Sequence, residues 1–213
     1  VDRKDFDPFL RNRAVEAGAK LFTGTFLRIE RGDEATQVVF RDKATGEERA
    51  LPTKLIIGAD GARSKVGRAE VPGGDKIPYV LAYHEIIKAP AKTAIYDPAR
   101  CDVIYDGKIS PDFYGWVFPH GDSASVGMGT EVASVDLKKA TAELREMAGL
   151  TDCETLRREG APIPLKPLDR WDNGLDVVLA GDAAGVVAPS SGKEFTMPWS
   201  GAAWPPPPAP PRW

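Results

Sequence analysis

Two runs in this sequence place a carboxylate at the end of an apolar stretch and clear the space around it. In VVLAGDAAG, residues 177–185, four apolar residues lead into Gly181 and Asp182, and Ala183, Ala184 and Gly185 follow with almost no side chain. LIIGADGARSKVGR, residues 55–68, has the same grammar, ending in Asp60 and Gly61 with Arg63 and Ser64 behind them. An Asp-Gly after a strand is ordinarily a turn, and either run alone says no more than that. The pair, with a β-rich stretch between them, is the signal. A helix beginning at Ser64 exposes unpaired N–H groups and partial positive charge, which favour phosphate; Arg63 and Arg68 add cations that match it. Phosphate repels a carboxylate, so Asp60 and Asp182 suit hydroxyls or positive groups instead, through charge-assisted bonds of about 1.5–3 kcal/mol each.

A third run, FYGWVFP (residues 113–119), alternates aromatics with smaller residues. Strand geometry puts Tyr114, Trp116 and Phe118 on one face. They either line a site for a flat or apolar ligand or fill the core beneath the sheet. His84, Cys101, Tyr105 and His120 are candidate proton donors, three of them with a plainer alternative. His84 suits a satisfied sheet position, His120 an exposed turn before Gly121, and Cys101 a small strand residue.

These residues need elements to hold them. A helix is predicted over residues 7–18, with Asp7 as N-cap, Pro8 at the first helical position and Gly18 as the stop. Three strands follow: LFTGTFLRIE, TQVVFRD and ERALPTKLIIGA. The run Leu55-Ile56-Ile57 suggests that the last of these enters a sheet covered on both faces. Residues 73–130 read as a second, antiparallel sheet of YVLAYHEII, KTAIYD, CDVIYD, FYGWVFP and SASVGMGT. DLKKATAELREMAG is a helix capped by Asp136 and closed at Gly149, and a shorter helix is expected over CETLRREG. DVVLA is a buried strand expected to rejoin the first sheet. The fold class is therefore α/β, with an interrupted first domain.

The 213 residues are 42% hydrophobic and 28% charged, with a net charge of −3. This balance is ordinary for a globular protein and gives no basic field for nucleic acid. Cys101 and Cys153 are the only cysteines; they fit neither a disulfide framework nor a metal site, and a reducing, cytoplasmic setting is the default. No apolar run approaches the roughly 20 residues of a membrane span.

The Asp-Gly…Arg-Ser run followed by Gly-Asp-Ala-Ala resembles the second and third signatures of flavoprotein hydroxylases and their relatives. The Tyr-x-Trp-x-Phe-Pro run narrows the resemblance to geranylgeranyl reductases of chlorophyll and bacteriochlorophyll biosynthesis, over residues 1 to about 192. The resemblance implies a partial FAD/NAD(P)-binding Rossmann-like domain with an inserted antiparallel substrate domain. It assigns Asp60, Gly61 and Arg63 to the cofactor pyrophosphate, and Gly181 and Asp182 to the ribityl chain. Ala183 and Gly185 let a flavin ring pass. Tyr114, Trp116 and Phe118 would line a prenyl tunnel. The implied reaction saturates geranylgeranyl to phytyl, on a pigment or as a free diphosphate, with FAD as hydride carrier and NADPH recharging it; contact with a photosynthetic membrane would be peripheral.

The corresponding domains are 1–72, 73–160 and 161–192, with a Pro/Trp-rich tail at 193–213. The tail holds seven of the 19 prolines and three of the five tryptophans, is expected to be disordered, and reads as out-of-frame translation. The resemblance also implies an N-terminal Gly-x-Gly-x-x-Gly loop, which is absent here. The chain is therefore expected to be a fragment, inactive alone and holding FAD weakly. The competing readings are an aromatic monooxygenase on the same scaffold and an interaction protein that uses its polyproline tail.

Overall fold

The computed structural model describes residues 3–187; the expectations placed on residues 193–213 lie outside them. Helix α1 spans Arg3–Glu16 and is followed by β1 (Gly24–Arg31), β2 (Thr36–Asp42), β3 (Glu48–Thr53), β4 (Ile56–Gly58) and α2 (Lys65–Glu70). Then come β5 (Tyr79–Lys88), β6 (Asp102–Ile104), β7 (Gly115–His120), β8 (Ser123–Thr130), α3 (Leu137–Met147), β9 (Thr155–Pro164) and β10 (Val177–Leu179). The strands form an antiparallel meander β1-β2-β3, a parallel pair β10-β4, and an antiparallel sheet in the order β6-β7-β8-β5-β9.

The single strand expected over residues 48–59 is two strands in two sheets. β3 ends at Thr53, whose hydroxyl donates to the Leu55 carbonyl, and the chain then turns into β4. β4 pairs in parallel with β10, so DVVLA does return to the earlier part of the chain. Cover on both faces does not hold among the described residues: Ile56 is buried, whereas Leu55 and Ile57 are 58% and 64% exposed. Asp176, just before β10, ties the pair to the meander. It accepts from Arg31 on β1, from Thr36 on β2 and from Asn173, while Arg31 also bonds Glu70 on α2. Arg31, foremost among these partners, holds the Asp176 carboxyl well below the usual carboxylate range.

α3 covers one face of the five-stranded sheet, packing Ala140, Leu144 and the following Leu150 against Ile87, Val117, Val126 and Met128. Asp136 caps it by accepting from the amides of Lys138 and Lys139. A side chain at Gly115 would put its Cβ 2.9 Å from Leu144, so glycine there lets helix and sheet close. Beside this core, Arg145 bonds Glu85 on β5 and the carbonyls of Leu150, Thr151 and Cys153.

Three local expectations change. α1 begins earlier than residue 7, so Pro8 lies inside the helix rather than at its first position. KTAIYD forms no strand; Tyr96 is buried in a turn whose amide bonds Thr93 Oγ1. CETLRREG is largely β9 instead of a helix, because the segment pairs with β5 along its length from Tyr79↔Pro164 to Ile87↔Thr155. Pro162 and Pro164 bar a continuing helix, and both they and the charges of Arg157, Arg158 and Glu159 suit a sheet edge.

Candidate functional site

The register of the parallel pair, Leu179 opposite Gly58, brings the two acid runs together. Asp60 and Asp182 leave neighbouring strands at the same carboxyl edge. In open α/β sheets this edge is where ligands bind.

At the first tip, Asp60 is already engaged. One carboxylate oxygen accepts from the Ser64 hydroxyl and the other from the amides of Lys65 at 2.7 Å and Val66 at 3.2 Å. Ser64, buried, accepts in turn from Gly67 N–H at 2.7 Å. Asp60 thus caps the α2 terminus through the loop, a role that sequence reasoning missed although an Asp four residues before a Ser N-cap could have signalled it. α2 sits tightly on the strands: a Cβ at Gly58 would come 2.7 Å from Leu179 and 2.9 Å from Val66. Gly61 has φ +83° and open space where a Cβ would project, so the backbone there is accessible.

Arg63 and Arg68 line a cavity of about 300 Å³ with Ala62, Gly74, Asp75, Ile77 and Tyr79. The Arg63 guanidinium lies 5.4 Å from the Tyr79 ring centroid. Arg68 donates to the Arg63 carbonyl at 2.6 Å and so braces the loop. Gly74 forms the opposite wall, where a Cβ would sit 2.2 Å from the Gly67 carbonyl oxygen. Two guanidinium groups in a small polar cavity suit a phosphate-bearing ligand. Neither Asp60 nor Asp182 lines this cavity.

At the second tip the chain enters a 3₁₀ turn, Gly181–Ala184, closed by Gly185 at φ +71°. The small residues here divide into two groups. Ala183 and Ala184 are fully buried against Ile56, Val66, Val177 and Leu179. Gly185 is small because a Cβ would lie 2.4 Å from the Lys166 carbonyl. Gly181, at φ +59°, faces open space, and Asp182 beside it is half-buried. The open backbone at Gly61 and Gly181, on adjacent strand tips next to an arginine-lined cavity, fits a dinucleotide cofactor. Gly181 and Asp182 would hold its polyol, and Arg63 and Arg68 its phosphates.

The aromatic run lies on the sheet face opposite α3. Tyr114 and Trp116 are buried there with Ala82, and Phe113, Phe118 and Ile163 pack on them. Tyr114 and Trp116 meet edge to face at 6.2 Å, and Trp116 stacks on Phe118 at 6.2 Å. Burial, and then Tyr105, push the Tyr114 hydroxyl up to about 12. On β8 the residues on this face are Ser125, Gly127 and Gly129, all small, between the β7 aromatics and Ala82, His84 and Ile86 of β5.

Of the four candidate donors, His84 is drawn into this face and the other three are not buried in it. His84 Nδ1 lies 2.7 Å from Ser125 Oγ, and Nε2 lies 3.0 Å from Glu159. Tyr105 is 73% exposed with its ring against Tyr114. His120 and Cys101 are exposed. Among the described residues no group of three or more metal-ligating side chains occurs, and no helix is long and apolar enough to cross a membrane.

This architecture, a parallel pair beside an antiparallel sheet, is similar in fold to that of a solved reductase-like protein and a solved hydroxylase. Residues 1–81 match the family described as FAD binding domain. A geranylgeranyl bacteriochlorophyll reductase-like protein of Thermoplasma acidophilum superposes with a TM-score of 0.77 at 24% identity, covering 90% of this chain and 49% of that one. Aklavinone-11 hydroxylase, solved with FAD and aklavinone, gives 0.63 at 22% identity, covering 88% and 37%. Over 193 residues the chain is 67% identical to the geranylgeranyl diphosphate reductase of Rhodobacter capsulatus, covering 91% of this chain and 49% of that protein. To the chloroplastic one of Oryza sativa it is 38% identical, covering 91% and 43%. The chain spans about half the length of the curated relatives it matches.

Proposed function

We propose that this chain is the part of an FAD-dependent, NADPH-using reductase that joins the flavin edge to a prenyl-binding sheet, and that it saturates geranylgeranyl double bonds to give a phytyl chain. The observation that carries this reading is that the Asp60 and Asp182 loops leave adjacent parallel strands at the same edge, with Arg63 and Arg68 following Asp60, in a chain 67% identical to a geranylgeranyl diphosphate reductase. Bound FAD supplies the hydride. Asp182 would accept from polyol hydroxyls, the Gly61 and Gly181 backbones would allow close approach, and Arg63 and Arg68 would neutralise the pyrophosphate.

An isolated alkene offers no carbonyl to polarise, so the protein acts by positioning and by keeping water away. Tyr114, Trp116 and Phe118 would supply flat apolar walls for a methyl-branched chain. A substrate this apolar is delivered from a lipid surface, so the proposal includes peripheral membrane contact from the bacterial cytoplasm.

A graft tests the reading. This chain replaces the matching half of the Rhodobacter capsulatus relative, and the products of geranylgeranyl diphosphate are followed by mass spectrometry. Stepwise gain of H₂ per double bond is expected. A folded, flavin-loaded graft that leaves the substrate unchanged contradicts the proposal, and a hydroxylated product would favour the monooxygenase chemistry of the fold's other members.

A further inference from the structure

One row of the antiparallel sheet crosses four strands: Trp116 on β7 is opposite Gly127 on β8, which is opposite His84 on β5, which is opposite Glu159 on β9. Directly opposite residues share a face, so all four lie on the aromatic side. The two ends of the row differ in exposure. The Glu159 side chain is 46% exposed and that of His84 25%, whereas Trp116 is 8% exposed and Ser125, one step along β8, 6%.

The hydrogen bonds fix their own directions. Trp116 Nε1–H can only donate, and it does so to Ser125 Oγ at 3.0 Å. The Ser125 hydroxyl proton is then free to point to His84 Nδ1 at 2.7 Å. The neutral imidazole accordingly carries its proton on Nε2, which donates to Glu159 at 3.0 Å. Gly127 permits this closeness: a Cβ there would come 2.3 Å from the His84 Cβ and 2.5 Å from the Tyr83 carbonyl oxygen.

We propose that His84, oriented by Glu159, is the proton store of the aromatic face, and that Ser125 passes its proton to the substrate carbon opposite the one receiving hydride. This rests on the reductase reading above. With His84 charged, both ring nitrogens donate, and Ser125 Oγ accepts from His84 and Trp116 together. Its own proton then turns toward the face. As that proton forms the new C–H bond, the Nδ1 proton follows onto Oγ, and neutral imidazole remains. The electron pair arrives as hydride from a reduced flavin, so each double bond gains one hydride and one proton. The imidazole, reached by solvent through its exposed edge, takes up the next proton.

Burial lowers the pKa of His84; Glu159 opposes this, while Arg157 on β9 and His120 at the end of β7 add to it. The ring is therefore mostly neutral at pH 7, and delivery speeds up as pH falls.

The test has two arms. In the full ¹⁵N-labelled chain, the Trp116 indole N–H, assigned with W116F, is followed against pH beside the His84 ring nitrogens. A common midpoint is expected, lost in S125A; an indole signal that stays flat while His84 titrates overturns the proposal. In the grafted reductase, S125A and H84Q should slow turnover about 10²-fold with prenyl affinity within about two-fold. E159Q, a change at an exposed position, should shift the pH profile to lower pH. Undiminished turnover in S125A, or an unmoved profile in E159Q, overturns the relay. If the unsubstituted graft reduces nothing, the reductase reading fails instead, and the indole titration alone decides whether the relay exists.

Discussion

Replacing Arg145 by Met keeps the apolar stem and removes the guanidinium that joins α3 to the five-stranded sheet. The Arg145 and Glu85 side chains are only 10% and 13% exposed. The guanidinium bonds Glu85 at 2.5 Å and Thr155 at 2.8 Å, and it also serves the carbonyls of Leu150, Thr151 and Cys153. Removing one partner of a buried pair costs about 3–5 kcal/mol. Glu85 keeps three other donors, Tyr83, Thr155 and Arg158, which places R145M at the lower end of that range, about 3 kcal/mol. For a domain of this size, that is a fall of about 6–12 °C in melting temperature.

Glu85 adds a pH signature. Burial alone would raise its pKa, but the bonds from Arg145, Tyr83 and Arg158 outweigh burial and bring it below the ordinary value. The resulting stability is present above the unfolded pKa of about 4.3 and is lost as pH falls through the lower folded value. Urea titrations of the parent chain, R145M, E85Q and the double variant should show a double-variant cost smaller than the sum of the singles, with the acid slope flattened in E85Q. If R145M stays within about 1 kcal/mol of the parent, or if the single costs simply add, the guanidinium is not the tie between helix and sheet.

Asp60→Ala should cost about 1–2 kcal/mol through loss of the α2 cap, read as a lower urea midpoint without ligand; an unchanged midpoint would return Asp60 to a purely ligand-facing role. Gly127→Ala should cost about 1–3 kcal/mol by overpacking against His84 and Tyr83, and should shift the Trp116 indole resonance in the same spectrum. Asp182→Asn should weaken FAD in a fluorescence titration, and equal affinity in the variant would exclude this carboxylate as a cofactor ligand. Arg63→Ala should weaken adenosine diphosphate and FAD alike, and equal affinity in the variant would exclude the arginine-lined cavity as the phosphate site.

Much of this fold is legible because its signals are local. Asp136 and Gly149 mark both ends of α3, and alternation in SASVGMGT sends Ala124, Val126 and Met128 to the helix side and Ser125, Gly127 and Gly129 to the other. β9 is not legible from CETLRREG, because the free edge of β5, distant in sequence, decides its state. The break between β3 and β4 is hidden for the same reason: Leu55-Ile56-Ile57 reads as continuous until Val66 and Val71 are seen to pack on the face that carries Ile56. At the site, the two aspartates are visible from their surroundings, but their division of labour is not. Asp60 looks ligand-facing until Ser64, Lys65 and Val66 are seen to bond it. Ala183 and Ala184 look like clearance for a ligand, whereas they face the core. The row Trp116–Gly127–His84–Glu159 joins residues from four strands and exists only once the register is known.

The most direct test of the account is an amide chemical-shift map of the full chain titrated with FAD. If the two strand tips form one cofactor edge, resonances of residues 60–68 and 181–185 should move together along a single binding curve, however weak. Shifts confined to one of these loops, or a response located elsewhere on the chain, would contradict it.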